Sequence, residues 1–211
     1  MHLCLDLSLK NTGYSIFSKN GSLLEKNSII PAKELSNSFK IHYIVSRIEG
    51  LYNNITDLVI EDLYYGTNFA GIRELARLSG AVVYSWVKNK YKEPNFYMAS
   101  TARKLVGING RSHKAEVQLF VLEKYKFISS DKIEKYKEEY DELIEEFPII
   151  PARKGVTVEE RKKSKKNKGK LDYRLNKLSN KIWEETGIGE DIADSIVLGL
   201  AFVEDCKNEK S

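Results

Sequence analysis

"HLCLDLSLKNTGYSIFSKNGSLLEKNSII", residues 2–30, carries the pattern of three short strands. "HLCLDLS" is a short apolar strand, and "GYSIFSK" and "GSLLEKNSII" repeat strand composition behind turn signals at Gly13 and Asn20-Gly21. Asn-Gly between two such runs is a strong hairpin signal, so the stretch predicts a three-stranded antiparallel meander. Downstream of Pro31, Leu35, Phe39, Tyr43, Ile44, Ile48 and Leu51 recur at helical spacing and predict one buried helical face. "TDLVIED" returns to strand, "NFAGIRELARLSGAVVYSWVKNKY" to helix and "NFYMAS" to strand. The order βββαβαβα implies an α/β fold. Its sheet is mixed and five-stranded, three antiparallel strands and then parallel ones, with helices on its faces, because parallel crossovers need helical cover.

Beyond Ser100 helical patterns dominate. "TARKLVG" is one, "SHKAEVQLFVLEKY" is a second with Ser112 as its expected cap, and "SSDKIEKYKEEYDELIEEF" is an acidic third. "DYRLNKLSNKIWEET" and a terminal helix from about Glu190 to Cys206 follow. The apolar residues between about 129 and 170 are too few and scattered for a separate core. A single domain over residues 1–211 with an insertion at about 129–170 is therefore expected.

Composition narrows the function classes. Hydrophobic residues make up 42% and charged residues 30% of 211 residues, which excludes a disordered or fibrous chain. No apolar run is long enough to cross a bilayer, and "MHLCLDLSLK" lacks the features of a signal peptide, so a cytoplasmic protein without membrane contact is expected. Cys4 and Cys206 are too few for a disulfide framework and lack metal-ligand spacing. The net charge is +4, yet Arg153 to Lys181 holds twelve basic and three acidic residues, a local +9 that leaves −5 for the rest. Its centre, "ERKKSKKNKGK", has no apolar periodicity. Such blocks are often mobile and often contact nucleic acid, although a solvated loop without a partner reads the same.

Three distant regions each place carboxylates in apolar surroundings. Asp6 interrupts the first strand, Glu61 ends the fourth, and Asp191 and Asp194 open the terminal helix. Alone, each has a plainer reading: first-turn acids favoured by the helix dipole for the aspartates, a turn or buried hydrogen bond for Asp6, an exposed strand end for Glu61. Together they describe a site. The ends of strands one and four are neighbours in the expected sheet. Four acids gathered there would repel one another unless a cation lay between them. An all-oxygen ligand set suits Mg²⁺ or Mn²⁺ and disfavours zinc. Ile192, Ile196, Leu200 and Val203 form the apolar stripe expected to hold the helix on the sheet.

"LDLSLKNTGYSIF", "VIEDLYYGTNFAGIRELARLSGAVV", "LVGINGRSHKAEVQ" and "EDIADSIVLGLAF" resemble, in order and position, the conserved blocks of RuvC-type Holliday junction resolvases. The resemblance covers most of residues 1–128 and 187–205 and implies an RNase H-like fold. It also implies that Asp6, Glu61, Asp191 and Asp194 are catalytic ligands of two Mg²⁺ ions, with Asp6 bridging them. A homodimer would then place paired nicks in branched DNA, leaving 5′ phosphate and 3′ hydroxyl ends. Lys114 matches a lysine near the scissile phosphate, Arg103 or Lys104 a second base, and Tyr64 an aromatic that stacks on opened bases. Leu7-Ser8 stands where the family usually has Pro-Gly, and the separation of Lys114 from Asp191 exceeds that of the bacterial enzymes, as in a divergent or phage-type member. The resemblance assigns nothing to that added length. Lys162, Lys163, Lys165 and Lys166 within it are candidate contacts to phosphates of the DNA arms.

The helix from about Phe69 to Tyr91 is the candidate dimer interface, because its apolar stripe includes small residues, although packing on the sheet explains the same stripe. Three other functions fit parts of the chain: cleavage of flaps or forks, an actin-like ATPase suggested by "DLSLKNTG", and a non-catalytic junction-binding protein. The chain is short for a two-lobed ATPase. Four retained acids on a DNA-facing surface would burden a protein that only binds.

Overall fold

The computed structural model describes residues 1–63, 69–150 and 156–208. The described chain forms two compact units, one of Met1–Arg111 with Asp191–Ser211 and one of Ser112–Glu190.

The first unit contains the expected mixed sheet. Strands β1 (His2–Asp6), β2 (Thr12–Phe17), β3 (Leu23–Ile29), β4 (Asp57–Glu61) and β5 (Asn95–Tyr97) lie in the order β3-β2-β1-β4-β5. β1/β2 and β2/β3 pair antiparallel, β1/β4 and β4/β5 parallel. The β2–β3 connection turns at Gly21, whose φ of +87° a side chain would strain. Gly13 is no turn residue. It lies inside β2, paired with Asp6.

Strand alternation gives the sheet two different faces. Leu3, Leu5, Leu7, Tyr14, Ile16, Ile29, Leu58 and Ile60 share a core with helices α1 (Asn37–Glu49) and α2 (Phe69–Lys90), which contribute Ile44, Ile48, Leu78, Val82 and Trp86. The face expected for α1 is partly wrong. Ile44 and Ile48 are buried and Ile41 and Val45 pack beside them, whereas Phe39 is 65% and Tyr43 40% exposed. At 100° per residue Phe39 lies about 140° around the helix from Ile44, so the three-and-four spacing ran across two stripes. β5 is also shorter than the expected strand. Its partner β4 ends at Glu61, which pairs with Tyr97, and helix α3 (Ala99–Leu105) starts two residues later.

The second unit packs helices α4 (Lys114–Tyr125), α5 (Ser130–Glu146) and α6 (Val158–Thr186) around Leu119, Leu122, Ile133, Tyr136, Leu175, Leu178 and Ile182. Gln118 is fully buried among them and donates to the carbonyls of Ile188 and Ser179, at 2.8 and 3.2 Å. His113, not Ser112, caps α4: its Nδ1 accepts from the Ala115 amide at 3.3 Å. The lysine block is not irregular either. It is the first half of α6, which begins at a capping box in which Thr157 Oγ1 accepts from Glu160 N and the Glu160 carboxylate accepts from Thr157 N. Ser164, Leu171, Leu175, Leu178 and Ile182 keep one face inward and leave the cations outward. The last helix, α7 (Glu190–Asn208), returns to the first unit from Asp191 onward. Among the described residues, no helix is long and apolar enough to cross a membrane.

Candidate active site

Strand register delivers the first two acids. β1 and β4 run parallel with Leu5 beside Ile60, and the residues that follow are Asp6 and Glu61. Leu5 and Ile60 face the α1/α2 core, so alternation turns Asp6 and Glu61 to the opposite face of the sheet. Neighbouring strands lie about 4.8 Å apart, which puts Asp6 and Glu61 at adjacent strand ends on the same face.

Helix α7 covers that opposite face by a contact of small residues. A Cβ built on Gly13 would fall 2.0 Å from the carbonyl oxygen of Asp191 and 2.7 Å from the amide nitrogen of Ile192. Two residues along β2, Ser15 Oγ donates to the carbonyl of Ser195 at 2.7 Å. Two further, the Phe17 ring lies where a Cβ on Gly199 would meet it, at 2.2 Å. Gly13, Ser15 and Phe17 thus receive Asp191, Ser195 and Gly199. Two strand residues advance about 6.7 Å and four helical residues about 6 Å, so the two repeats stay in step over the contact. The expected stripe differs here. Ile192 and Ile196 are buried, but the surface that meets β2 carries Asp191, Ser195 and Gly199, while Leu200 and Val203 are only half-buried.

This seating brings the terminal aspartates to the strand ends. Asn11 Nδ2 donates to Asp191 Oδ2 at 2.6 Å, and Arg103 Nη2 donates to Asp194 Oδ1 at 2.9 Å, an ion pair whose side chains are both 15% exposed. Burial pushes the Glu61 carboxyl up to about 7, and the negative charges of Asp194 and Asp191 push in the same direction against the opposing pull of Arg103. Glu61, Asp191 and Asp194 are therefore acids under mutual repulsion, with a guanidinium on Asp194 and an amide on Asp191, and Asp6 stands at the end of the adjacent strand. They do not form a closed cage: among the described residues, no three His, Cys, Asp or Glu side chains are grouped tightly enough to hold a metal ion.

Of the two candidate bases, Arg103 reaches the acids. Lys104 is exposed, and its stem runs beside Gly110. Lys114 opens α4 in the second unit, is about half exposed and pairs with Glu190. Lys162, Lys163, Lys165 and Lys166 are exposed on α6. Tyr64 lies outside the described residues. The sequence reading missed Asn11, whose only signal was a polar residue in the β1–β2 connection, and the supporting role of Gly13.

The model of the family "Crossover junction endodeoxyribonuclease RuvC" matches residues 3–135. Two similar solved structures are both of RuvC from Thermus thermophilus. One, a complex with a Holliday junction substrate, has a TM-score of 0.57 at 8% identity and covers 98% of this chain and 94% of its own. The other has a TM-score of 0.57 at 11% identity and covers 99% and 96%. At that identity the likeness shows the fold, which is RNase H-like. No curated protein matches the chain.

Proposed function

This chain belongs to the crossover junction endodeoxyribonuclease RuvC family, and we propose that it nicks four-way DNA junctions in pairs by metal-dependent phosphodiester hydrolysis at Asp6, Glu61, Asp191 and Asp194. One observation carries the reading. Glu61 is half-buried at a strand end, where loss of solvent and then the charges of two aspartates from the far end of the chain raise its pKa. Packing that concentrates like charge in this way costs stability, and strongly perturbed carboxylates cluster at functional sites.

The all-oxygen set suits Mg²⁺, with Mn²⁺ as a substitute, and Asp6, Glu61, Asp191 and Asp194 are the residues that would hold two such ions. A divalent cation bound there supplies Lewis acidity toward the phosphodiester and offsets the charge that develops on it. The chain's own residues prepare for this. Glu61 releases its proton near neutral pH, Asn11 fixes the rotamer of Asp191, and Arg103 holds Asp194 while adding positive charge where a phosphate must approach. Lys114 is proposed to exchange Glu190 for a phosphate oxygen, and Tyr64 to stack on an opened base. Two symmetric nicks require two sites. α2 is the proposed dimer interface because its outer face carries Arg73, Ala76, Gly80 and Tyr84, and among the described residues nothing lies within 4 Å of a Cβ built on Gly80. A glycine in an exposed helix interior costs about 0.5–1 kcal/mol relative to alanine, and close approach of a second helix is a reason to keep it.

The test is incubation of the protein with a synthetic four-way junction, a flap and a linear duplex, in Mg²⁺ or in EDTA. Paired nicks in the junction, with 5′ phosphate and 3′ hydroxyl ends and only in Mg²⁺, are expected. Cleavage confined to the flap reassigns the substrate, and ATP turnover without cleavage rejects the nuclease.

A further inference from the structure

The helix aligns part of the lysine block of α6 along one side. Ser164, Leu171, Leu175, Leu178, Ser179 and Ile182 point into the second unit, and at 100° per residue the opposite side carries Lys162, Lys166, Gly169, Tyr173 and Lys177. Lys165 and Lys170 flank it, and all seven residues are exposed or half-buried. From Lys162 to Asn180 that side has no acid, although α5 in the same unit is rich in them. Two details separate this surface from an ordinary solvated one. Among the described residues nothing lies within 4 Å of a Cβ built on Gly169, so no described contact explains a glycine in mid-helix. Tyr173 is 60% exposed, and the Lys177 ammonium sits 4.8 Å from its ring centroid, which holds an aromatic hydroxyl outward among the cations.

We infer that this face of α6 is a track for the sugar-phosphate backbone of duplex DNA, resting on the junction-nuclease reading above and extending it to a surface outside the carboxylate site. Lys162 and Lys177 are fifteen residues apart, or about 22 Å along the helix, the length of about six base-pair steps. Lys162, Lys166 and Lys177 neutralise phosphates and Tyr173 donates its hydroxyl to one. Gly169 lets the backbone come close to the helix between them. No base edge is read by lysines so placed. The face therefore contributes affinity and salt dependence without sequence preference.

The experiment measures junction binding against salt, and single-turnover cleavage at saturating protein. The variants are the triple Lys162→Gln, Lys166→Gln, Lys177→Gln, the single variants Tyr173→Phe and Gly169→Leu, and a charge-matched control, Lys132→Gln, Lys135→Gln, Lys137→Gln on α5. The triple variant is expected to make the slope of log affinity against log salt shallower by about three and to weaken binding about tenfold or more near 0.1 M salt, with the saturated cleavage rate unchanged. Gly169→Leu separates a binding role from a structural one. It improves helix propensity and is expected to raise or keep the melting temperature while weakening junction binding several-fold. The inference is overturned if the triple and Gly169→Leu variants bind like the parent, or if the α5 control loses as much affinity as the α6 triple. Unchanged binding with intact cleavage leaves the nuclease reading standing. A parent protein that neither binds nor cuts a junction removes both.

Discussion

A Cβ on Gly13 would stand 2.0 Å from the carbonyl oxygen of Asp191, so the N-terminus of α7 rests directly on the backbone of β2 beside Asp6. This single approach couples one end of the chain to the other and sets where the two aspartates arrive. Gly13→Ala forces backbone against backbone and cannot be relieved by a rotamer change. We expect it to cost about 2–3 kcal/mol and to reduce junction cleavage more than junction binding. Urea denaturation and single-turnover kinetics check this, with Ser15→Ala, which removes the side-chain bonds to Ser195 and Cys4 without a clash, expected to cost about 1 kcal/mol.

Glu61 makes stability depend on pH. Its carboxyl titrates near 4.5 in the unfolded chain and is pushed up to about 7 in the fold, so between those values the folded protein holds a proton that the unfolded chain has lost. Stability in EDTA should fall as pH rises through that window. Glu61→Gln should remove this fall and gain on the parent by up to about 3 kcal/mol above pH 7. Denaturant midpoints from pH 4.5 to 8 measure it, and Mg²⁺ should recover stability at the upper end by binding the ionised site.

Arg103 and Lys104 are neighbours in sequence with different work. Arg103→Ala takes the guanidinium from a mostly buried Asp194 and leaves Glu61 under more repulsion, a loss of about 2 kcal/mol at pH 7. Lys104→Ala, at an exposed position, should change stability by less than about 0.5 kcal/mol. Thermal denaturation of the two variants side by side distinguishes them.

Gly80 tests the proposed dimer. Gly80→Glu should convert the protein to monomers at micromolar concentration and abolish paired nicking, whereas Gly80→Ala should stabilise the helix by about 0.5–1 kcal/mol. Light scattering and junction-nicking gels give the answers, and a parent that is monomeric at those concentrations rejects the interface.

Much of the first unit was legible in the sequence because its signals are local. Alternation and the Asn20-Gly21 turn define the meander, and apolar runs ended by acids locate β1 and β4, from which the adjacency of Asp6 and Glu61 follows. What was not legible depends on approach in space. Gly13 reads as a turn signal, yet it serves through its missing side chain against a helix nearly 180 residues later. Ser195 and Gly199 look like interruptions of an apolar stripe and are the surface that meets β2. The lysine block has too few apolar residues near its start to show periodicity. Its helix is secured by the Thr157 cap and by the leucines beyond it.

The most direct test is the single-turnover rate of four-way junction cleavage in Mg²⁺ for Asp6→Asn, Glu61→Gln and Asp194→Asn, with junction binding followed in parallel. Each substitution is expected to leave binding intact and to lower the rate at least about 100-fold. Cleavage at the parent rate by both Asp6→Asn and Asp194→Asn would contradict the assignment of the site.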